Sequence, residues 1–372
     1  LFGMGGAPLC SIARGEGNHE RAETVMNNSF SLLLISGAAL TVFFLALKKP
    51  ILYLFGASDQ TFPYADAYLT IYLVGTVFVM IGLGMNSFIN SQGFGRMGMM
   101  TVLLGAVVNI ALDPVLIFVL NMGVQGAALA TVISQFLSAA WVLRFLTGKQ
   151  AIYRLKPERM RLQKRLVGQI SALGLSGFIM AVTNSAVQIV CTATLQQFGG
   201  DLYVGIMTVI NSIREVLTMP VNGLTNGAQP VMGYNYGAHL YSRVRSGIRF
   251  TSIVCILYTT LAWIILMMAP EFFIHIFNSD PELIADGVPA LNLYFFGFFM
   301  MSLQFSGQSV FVALGESKQA VFFSLLRKAI IVVPLTLLLP HLFGLVRHVG
   351  QRFHARVLGN GAGGTGGVAQ II

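Results

Sequence analysis

Apolar residues run along this chain in blocks of about 20, broken by short polar or glycine-rich turns, and a block of that length, wound as a helix, crosses the hydrocarbon core of a bilayer. The blocks predict spans at Leu1–Ala13 (incomplete), Val25–Leu47, Ala67–Ile89, Met99–Leu120, Val124–Phe145, Leu166–Leu195, Tyr203–Val231, Ile248–Met268, Leu291–Leu314 and Ala320–Leu339. The expected fold is therefore an all-α, multi-pass membrane protein with about ten helices present.

Composition agrees with this pattern. Of 372 residues, 55% are hydrophobic and only 10% charged, and the mean hydropathy is +0.74, whereas a soluble domain carries about 25% charged residues. The net charge of +9 gathers in a few loops, densest from Arg144 to Arg165, so it marks topology rather than a nucleic-acid surface. By the positive-inside rule that segment is cytoplasmic, and alternation puts Arg14, Arg21, Arg96, Arg243, Arg245, Arg249 and Lys318 on the same side. The opposite loops, around Asp59 and Asp280, carry acids; Lys48 and Lys49, near an outer helix end, are the main exceptions. Cys10, Cys191 and Cys255 each sit in an apolar run with no CxxC pair, as buried thiols would.

A shift of 222 positions lays Gly5 on Gly227, Pro8 on Pro230, Gly15 on Gly237, Tyr72 on Tyr294, Gly75 on Gly297, Ser87 on Ser309 and Gly93 on Gly315 without a gap. Equivalent loops face the same side, so these are parallel repeats, a plan that transporters use around a central site. The expectation is two pseudo-symmetric six-helix bundles, residues 1–147 and 166–345, joined by a basic cytoplasmic linker at 148–165. On this reading about one and a half spans precede Leu1. The predicted last span, near 346–367, instead carries Arg347, Arg352 and Arg356, which are costly in lipid. Residues 346–372 therefore read as an aberrant polar tail, from a reading-frame change or a fragmentary gene; a genuine flexible tail is the alternative.

Asp113 is the leading chemical candidate, because a carboxylate inside a span must be protonated, paired or ion-bound. Asn109 lies one turn earlier on the same face and can share a cation with it. Pro114 removes a helical hydrogen bond and is a candidate hinge. Thr131, on the following helix, offers a third oxygen. The alternative is that Asp113 caps a broken helix with Asn109 packed beside it. In the second repeat the equivalents of Asn109 and Asp113 are Ile331 and Leu335, so its ion chemistry is no copy. Its polar groups are Asn184, Gln188, Asn211, Arg214, Glu215, Asn222, Gln304, Gln308, Arg327 and Lys328. Arg214 and Glu215 are either a neutralised pair or a second ion site, and Arg327 is expected to pair with a carbonyl or with Glu215. Tyr72, Met85, Asn184, Gln188, Tyr294, Gln304 and Gln308 are candidates to line a cargo path, where aromatic and methionine walls suit organic cations. The glycine-rich loops at 93–98 and 233–237 have no P-loop Lys followed by Ser or Thr.

NIALDPVLIF at Asn109–Phe118, GVQGAALAT at Gly123–Thr131 and GAQPVMGYNYGA at Gly227–Ala238 together resemble the multidrug and toxin extrusion transporters, bacterial branch. The likeness spans about residues 1–345. It implies a non-enzymatic antiporter in the bacterial inner membrane, a monomer in the lipid bilayer. Such a protein exports small cationic amphipathic compounds against sodium ions or protons, with no cofactor beyond the coupling ion and no nucleic acid, as its two bundles rock around a central cavity. The resemblance also assigns the first bundle's cation site, sodium included, to Asp113, Asn109 and Thr131, with a further acid on a first span absent here. The remaining alternatives are a lipid-linked oligosaccharide flippase of the same superfamily, which needs a more cationic cavity, and a membrane-embedded transferase, for which no DDxxD motif is present.

Overall fold

A computed structural model describes residues 1–54 and 58–325, and among them the chain forms α-helices and no β-strand. In order they are α1 (Phe2–Gly15), α2 (His19–Leu54), α3 (Phe62–Val74), α4 (Thr76–Ser91), α5 (Gly95–Pro114), α6 (Gly123–Thr147), α7 (Lys164–Gly237), α8 (Tyr241–Met268), α9 (Pro270–His275), α10 (Pro281–Phe295), α11 (Phe298–Ala313) and α12 (Ser317–Leu325). Gly200 interrupts α7 with φ 67° and ψ −164°, a conformation glycine adopts without a Cβ penalty. Among the described residues six stretches are long and apolar enough to cross a membrane, and the bent pairs α3/α4 and α10/α11 reach that length and apolarity only together. Helix α1 corresponds to the incomplete first predicted span, and α12 covers only the start of the tenth. Ile110, Phe118, Met268 and Leu293 are broadly exposed, as lipid-facing side chains are when the hydrocarbon is the solvent. The last predicted span beyond Leu325 and the tail at 346–372 lie outside the described residues.

The repeat is visible in backbone geometry. The α3/α4 span breaks at Gly75 with a bend of 49°, and the α10/α11 span breaks beside the equivalent Gly297 with a bend of 46°. Gly93 and Gly315, 222 positions apart, both turn with positive φ, +92° and +80°. Gly17 and His239 form a second such pair, at +74° and +57°. The loop hydrogen bonds match as well: Glu16 N to Ile12 O and Asn18 N to Ala13 O are repeated as Ala238 N to Tyr234 O and Leu240 N to Asn235 O.

The chain divides into two compact units. Among the described residues, one comprises Leu1–Ile179, Val221–Ile256 and Ser302–Val321; the other comprises Met180–Pro220, Leu257–Met301 and residues 322–325. These boundaries pass through α7, α8 and α11 and are not those of the sequence halves. The first unit has a core around Met26, Met85, Phe88, Ile89, Leu146 and Ile170. The second has its own, around Ile213, Leu266, Ile274, Leu291, Phe295 and Phe298. Within the second, Asp280 caps α10 by accepting from Glu282 N, ahead of Pro281 at the first helical position.

The basic linker is a docked strap. Helix α2 begins at His19, well before the predicted apolar start at Val25, because its first turns bury polar side chains against the linker rather than against lipid. Asn27 and Asn28 are fully buried. Asn28 Nδ2 donates to the carbonyls of Arg159 and Arg161, and its Oδ1 accepts from Gln163 N at 2.8 Å. Asn27 Oδ1 accepts from Lys156 N, also at 2.8 Å, while its Nδ2 donates to Arg154 O. Glu23 pairs with Lys156 and Arg159, and Gln92 Oε1 accepts from Tyr153 N. Ala151, Tyr153 and Leu155 complete the attachment by entering the apolar core. Burial pushes the Tyr153 phenol up to about 12, so it stays protonated, 2.8 Å from His19 Nδ1. At the other end of α2, Lys48 is neutralised by Asp66 at 2.8 Å and donates to Thr70. That pairing explains one of the two basic residues that departed from the orientation rule.

Candidate functional site

Asp113 and Asn109 both lie on α5, and Asn109 Nδ2 donates to Asp113 Oδ1 at 3.4 Å, a direct contact compatible with a shared cation and with simple packing of Asn109 beside Asp113. Both side chains are half-buried. Directly after Pro114 the helix widens into a π-helical turn, Val115–Val119, closed by the bond from Leu120 N to Val115 O. Such turns interrupt the i to i+4 ladder and recur at functional positions. Asn109 and Thr131 line one cavity of about 250 Å³ between α4, α5 and α6, together with Asn86, Thr101, Ser134, Gln135 and Ser138. Asp113 is not in that lining; it holds the amide that is. The Thr131 hydroxyl donates to Ala127 O, one turn back, which leaves its oxygen free to accept. Asn86 donates to Gly98 O through Nδ2, and its buried Oδ1 has no protein partner.

The chemistry of this lining is oxygen-rich with a single carboxylate nearby, which suits a hard monovalent cation or a proton. Among the described residues no group of three or more His, Cys, Asp or Glu could hold a metal ion.

Two further cavities lie in the same unit. One, of about 260 Å³, is lined by Met4, Ala7, Pro8 and Ser11 of α1, Asn86, Ser87 and Asn90 of α4, and Asn226, Gln229 and Pro230 of α7. Met4 and Asn226, Ala7 and Gln229, and Pro8 and Pro230 are repeat equivalents, so this cavity sits on the pseudo-symmetry relation itself. The other, of about 760 Å³, shares Asn86, Asn90, Asn226 and Pro230 and adds Arg14, Ser91, Tyr234 and Asn235.

The candidate cargo-lining residues are placed differently. Met85 is fully buried in the apolar core, Tyr72 stacks on Tyr68 at 6.1 Å, and Tyr294 packs edge-on against Phe295 at 5.2 Å. Asn184 is exposed and Gln188 and Gln308 are half-buried; Gln304 keeps a buried Oε1 without a protein partner. None of the seven lines the three cavities. Arg214 is half-buried and Glu215 exposed; among the described residues neither forms an ion pair, and Arg327 lies outside them. Of the amides that line cavities, Asn109 is a sequence candidate, whereas Asn86, Asn90, Gln135, Asn226, Gln229 and Asn235 went unnoticed in the sequence. The one signal pointing to any of these was the pair of repeat-equivalent prolines, Pro8 and Pro230.

The MatE family profile matches residues 1–115 and 177–338, leaving Thr131 and the strap between its two segments. Multidrug export protein MepA of Staphylococcus haemolyticus is 24% identical over 347 residues, covering 93% of this chain and 76% of the relative. The protein of that name from Staphylococcus aureus is 22% identical over the same length. Among solved structures, the MATE multidrug transporter DinF-BH in complex with R6G is 35% identical, with a TM-score of 0.85 over 92% of this chain and 77% of that one. A MATE crystal structure in complex with MaL6, 20% identical, has a TM-score of 0.88 over 93% and 78% and shares the fold. With the helical order, the 222-residue repeat and the profile match in agreement, the chain belongs to the MatE family of multi-pass membrane transporters.

Proposed function

We propose that this transporter is a secondary antiporter that exports small amphipathic organic cations in exchange for sodium ions or protons, with Asp113, Asn109 and Thr131 handling the coupling ion. One observation carries the reading. A carboxylate within a membrane-spanning helix is hydrogen-bonded to an amide that opens, with a threonine hydroxyl, into an oxygen-lined cavity. Such a carboxylate is costly in a membrane unless it is paired, protonated or ion-bound. The names of the relatives, multidrug export proteins and a multidrug transporter bound to R6G, support the cargo class. In this reading the protein works as a monomer in a bacterial inner membrane, and Pro114 with the π-helical turn after it lets α5 respond to ion occupancy. Coupling then requires the ion to bind one orientation more tightly than the other. A flippase for lipid-linked diphosphates is less well supported. The largest described cavity offers one guanidinium, Arg14, which is already engaged by Ser91 O and the Tyr234 ring.

The test is efflux of a fluorescent organic cation from cells producing the protein, with the sodium and proton gradients dissipated separately by ionophores. Loss of one gradient is expected to slow efflux about tenfold or more, since a downhill ion is the only energy source in this reading. Efflux indifferent to both gradients would end it.

A further inference from the structure

Helix α1 and the C-terminal part of α7 meet at a seam made by two repeat-equivalent glycines. A Cβ on Gly15 would overlap the Tyr234 carbonyl and lie 2.8 Å from Ala238 N; a Cβ on Gly237 would overlap the Ile12 carbonyl and lie 3.1 Å from Glu16 N. Ile12 and Tyr234, and Glu16 and Ala238, are themselves 222 positions apart, so the contact is reciprocal. Each helix offers its glycine to the same carbonyl of the other. Only residues without a side chain allow two helix backbones to come this close. Arg14, beside Gly15, closes over the seam. Its guanidinium sits 5.2 Å from the centre of the Tyr234 ring, and Nη1 donates to Ser91 O at the end of α4 at 3.3 Å. Among the described residues Arg14 has no carboxylate partner, so the aromatic face is its principal attraction.

The position of the seam gives it a role. Ser11 and Pro8 of α1 and Gln229 and Pro230 of α7 line the 260 Å³ cavity on the repeat relation, about one to two helical turns from Gly15 and two from Gly237. Arg14, Arg21, Arg243 and Arg245 flank the seam and mark its side as cytoplasmic. The glycine contact thus lies between that cavity and the basic end of the two helices, beside the larger cavity that Arg14 and Tyr234 line.

We propose that Gly15 and Gly237, latched by Arg14 on Tyr234, form the cytoplasmic seal of the transport path, and that breaking this contact opens the cavity to the cytoplasm. The inference builds on the transport reading but not on the ion site. Most of the contact is reciprocal backbone with one cation–aromatic latch, and the side chains that cross it, Ser11 and Ile12 of α1, lie against Gly233, which has no side chain to interlock with them.

The seal is tested with Gln229→Cys as reporter, in a background whose three native cysteines are replaced by alanine, using a membrane-impermeant maleimide on inside-out vesicles. The sealed parent labels slowly. Gly15→Ala and Gly237→Ala, which cannot close, are expected to label about tenfold faster or more. Tyr234→Leu introduces no bulk at the seam and removes only the latch, so it is expected to label about twofold to thirtyfold faster. Gly168→Ala, whose added methyl meets nothing within 4 Å, should match the parent. If the glycine variants fail to elute as monodisperse protein, Tyr234→Leu decides. Unchanged labelling in Tyr234→Leu and in every monodisperse glycine variant, or faster labelling only from the opposite face, would overturn the proposal. Because labelling needs neither ion nor cargo, its failure is distinct from failure of the ion site, which would show as lost efflux with the seal intact.

Discussion

Asp113→Asn is expected to abolish the stabilisation that the coupling ion gives the purified protein. In the parent, an ion that binds only the folded state raises stability by about 2.7 kcal/mol at a hundredfold excess over its dissociation constant, so the unfolding temperature climbs as sodium is titrated or the pH is changed. The substitution keeps the shape of the side chain and an oxygen able to accept from Asn109 Nδ2, now 3.4 Å from Asp113 Oδ1. What it removes is the charge and the capacity to take up a proton. Loss of a ligand charge should weaken ion affinity by at least the tenfold to hundredfold seen when even outer partners of a bound ion are removed, and the titration should flatten. Asn109→Ala leaves the carboxylate in place and should weaken the response by about tenfold without erasing it. The same rise in unfolding temperature in Asp113→Asn as in the parent would take Asp113 out of ion binding, whatever happens to transport.

Asn28→Leu is expected to lower stability by about 2–5 kcal/mol and to free the strap from α2. Asn28 is fully buried and ties together Thr24 O, Arg159 O, Arg161 O and Gln163 N. Leucine has the same branching and number of side-chain heavy atoms, though bulkier methyl groups, and bonds to none of them. The penalty comes from leaving buried backbone groups unpaired, about 1–3 kcal/mol for each group that water cannot reach, rather than from lost packing. Two readouts check this: the unfolding temperature in detergent, and limited proteolysis at the cluster of basic residues from Arg154 to Arg165. Trypsin should cut the variant there much faster than the parent. An unfolding temperature within about 1 °C of the parent, with the strap still protected, would show that these hydrogen bonds do not hold the linker in place.

The spans were legible because hydrocarbon demands long apolar stretches and the chain supplies them. Their edges were less so. Helix α2 starts at His19, not Val25, because Glu23, Asn27 and Asn28 are satisfied by linker carbonyls and amides 127 to 135 positions away, and nothing local in the sequence reports such partners. The repeat was readable to the residue, as the matched turns at Gly93 and Gly315 show. Its main consequence was not: Gly15 and Gly237 could be paired by register, but only the fold brings each against the other's carbonyl. At the proposed ion site, Asn109 and Asp113 could be joined from their one-turn spacing, because a helix fixes that neighbour relation. The cavity lining contributed by Asn86 could not, since a single amide on another helix has no spacing signature. Aromatic and methionine residues misled for the opposite reason. Met85 has the chemistry of a cargo wall, yet its position on α4 buries it in the core, and hydrophobic identity alone does not distinguish the two uses.

The most direct measurement reconstitutes the protein in liposomes and follows both solutes at once, a fluorescent organic cation moving one way and sodium or protons moving the other. In the parent, an imposed cargo gradient is expected to drive the coupling ion uphill in the opposite direction, at a fixed ratio, and Asp113→Asn is expected to move no ion while still folding and binding cargo. Cargo movement with no opposing ion flux in the parent, or the same ion flux in Asp113→Asn, would contradict the assignment of the coupling ion to the Asp113 helix.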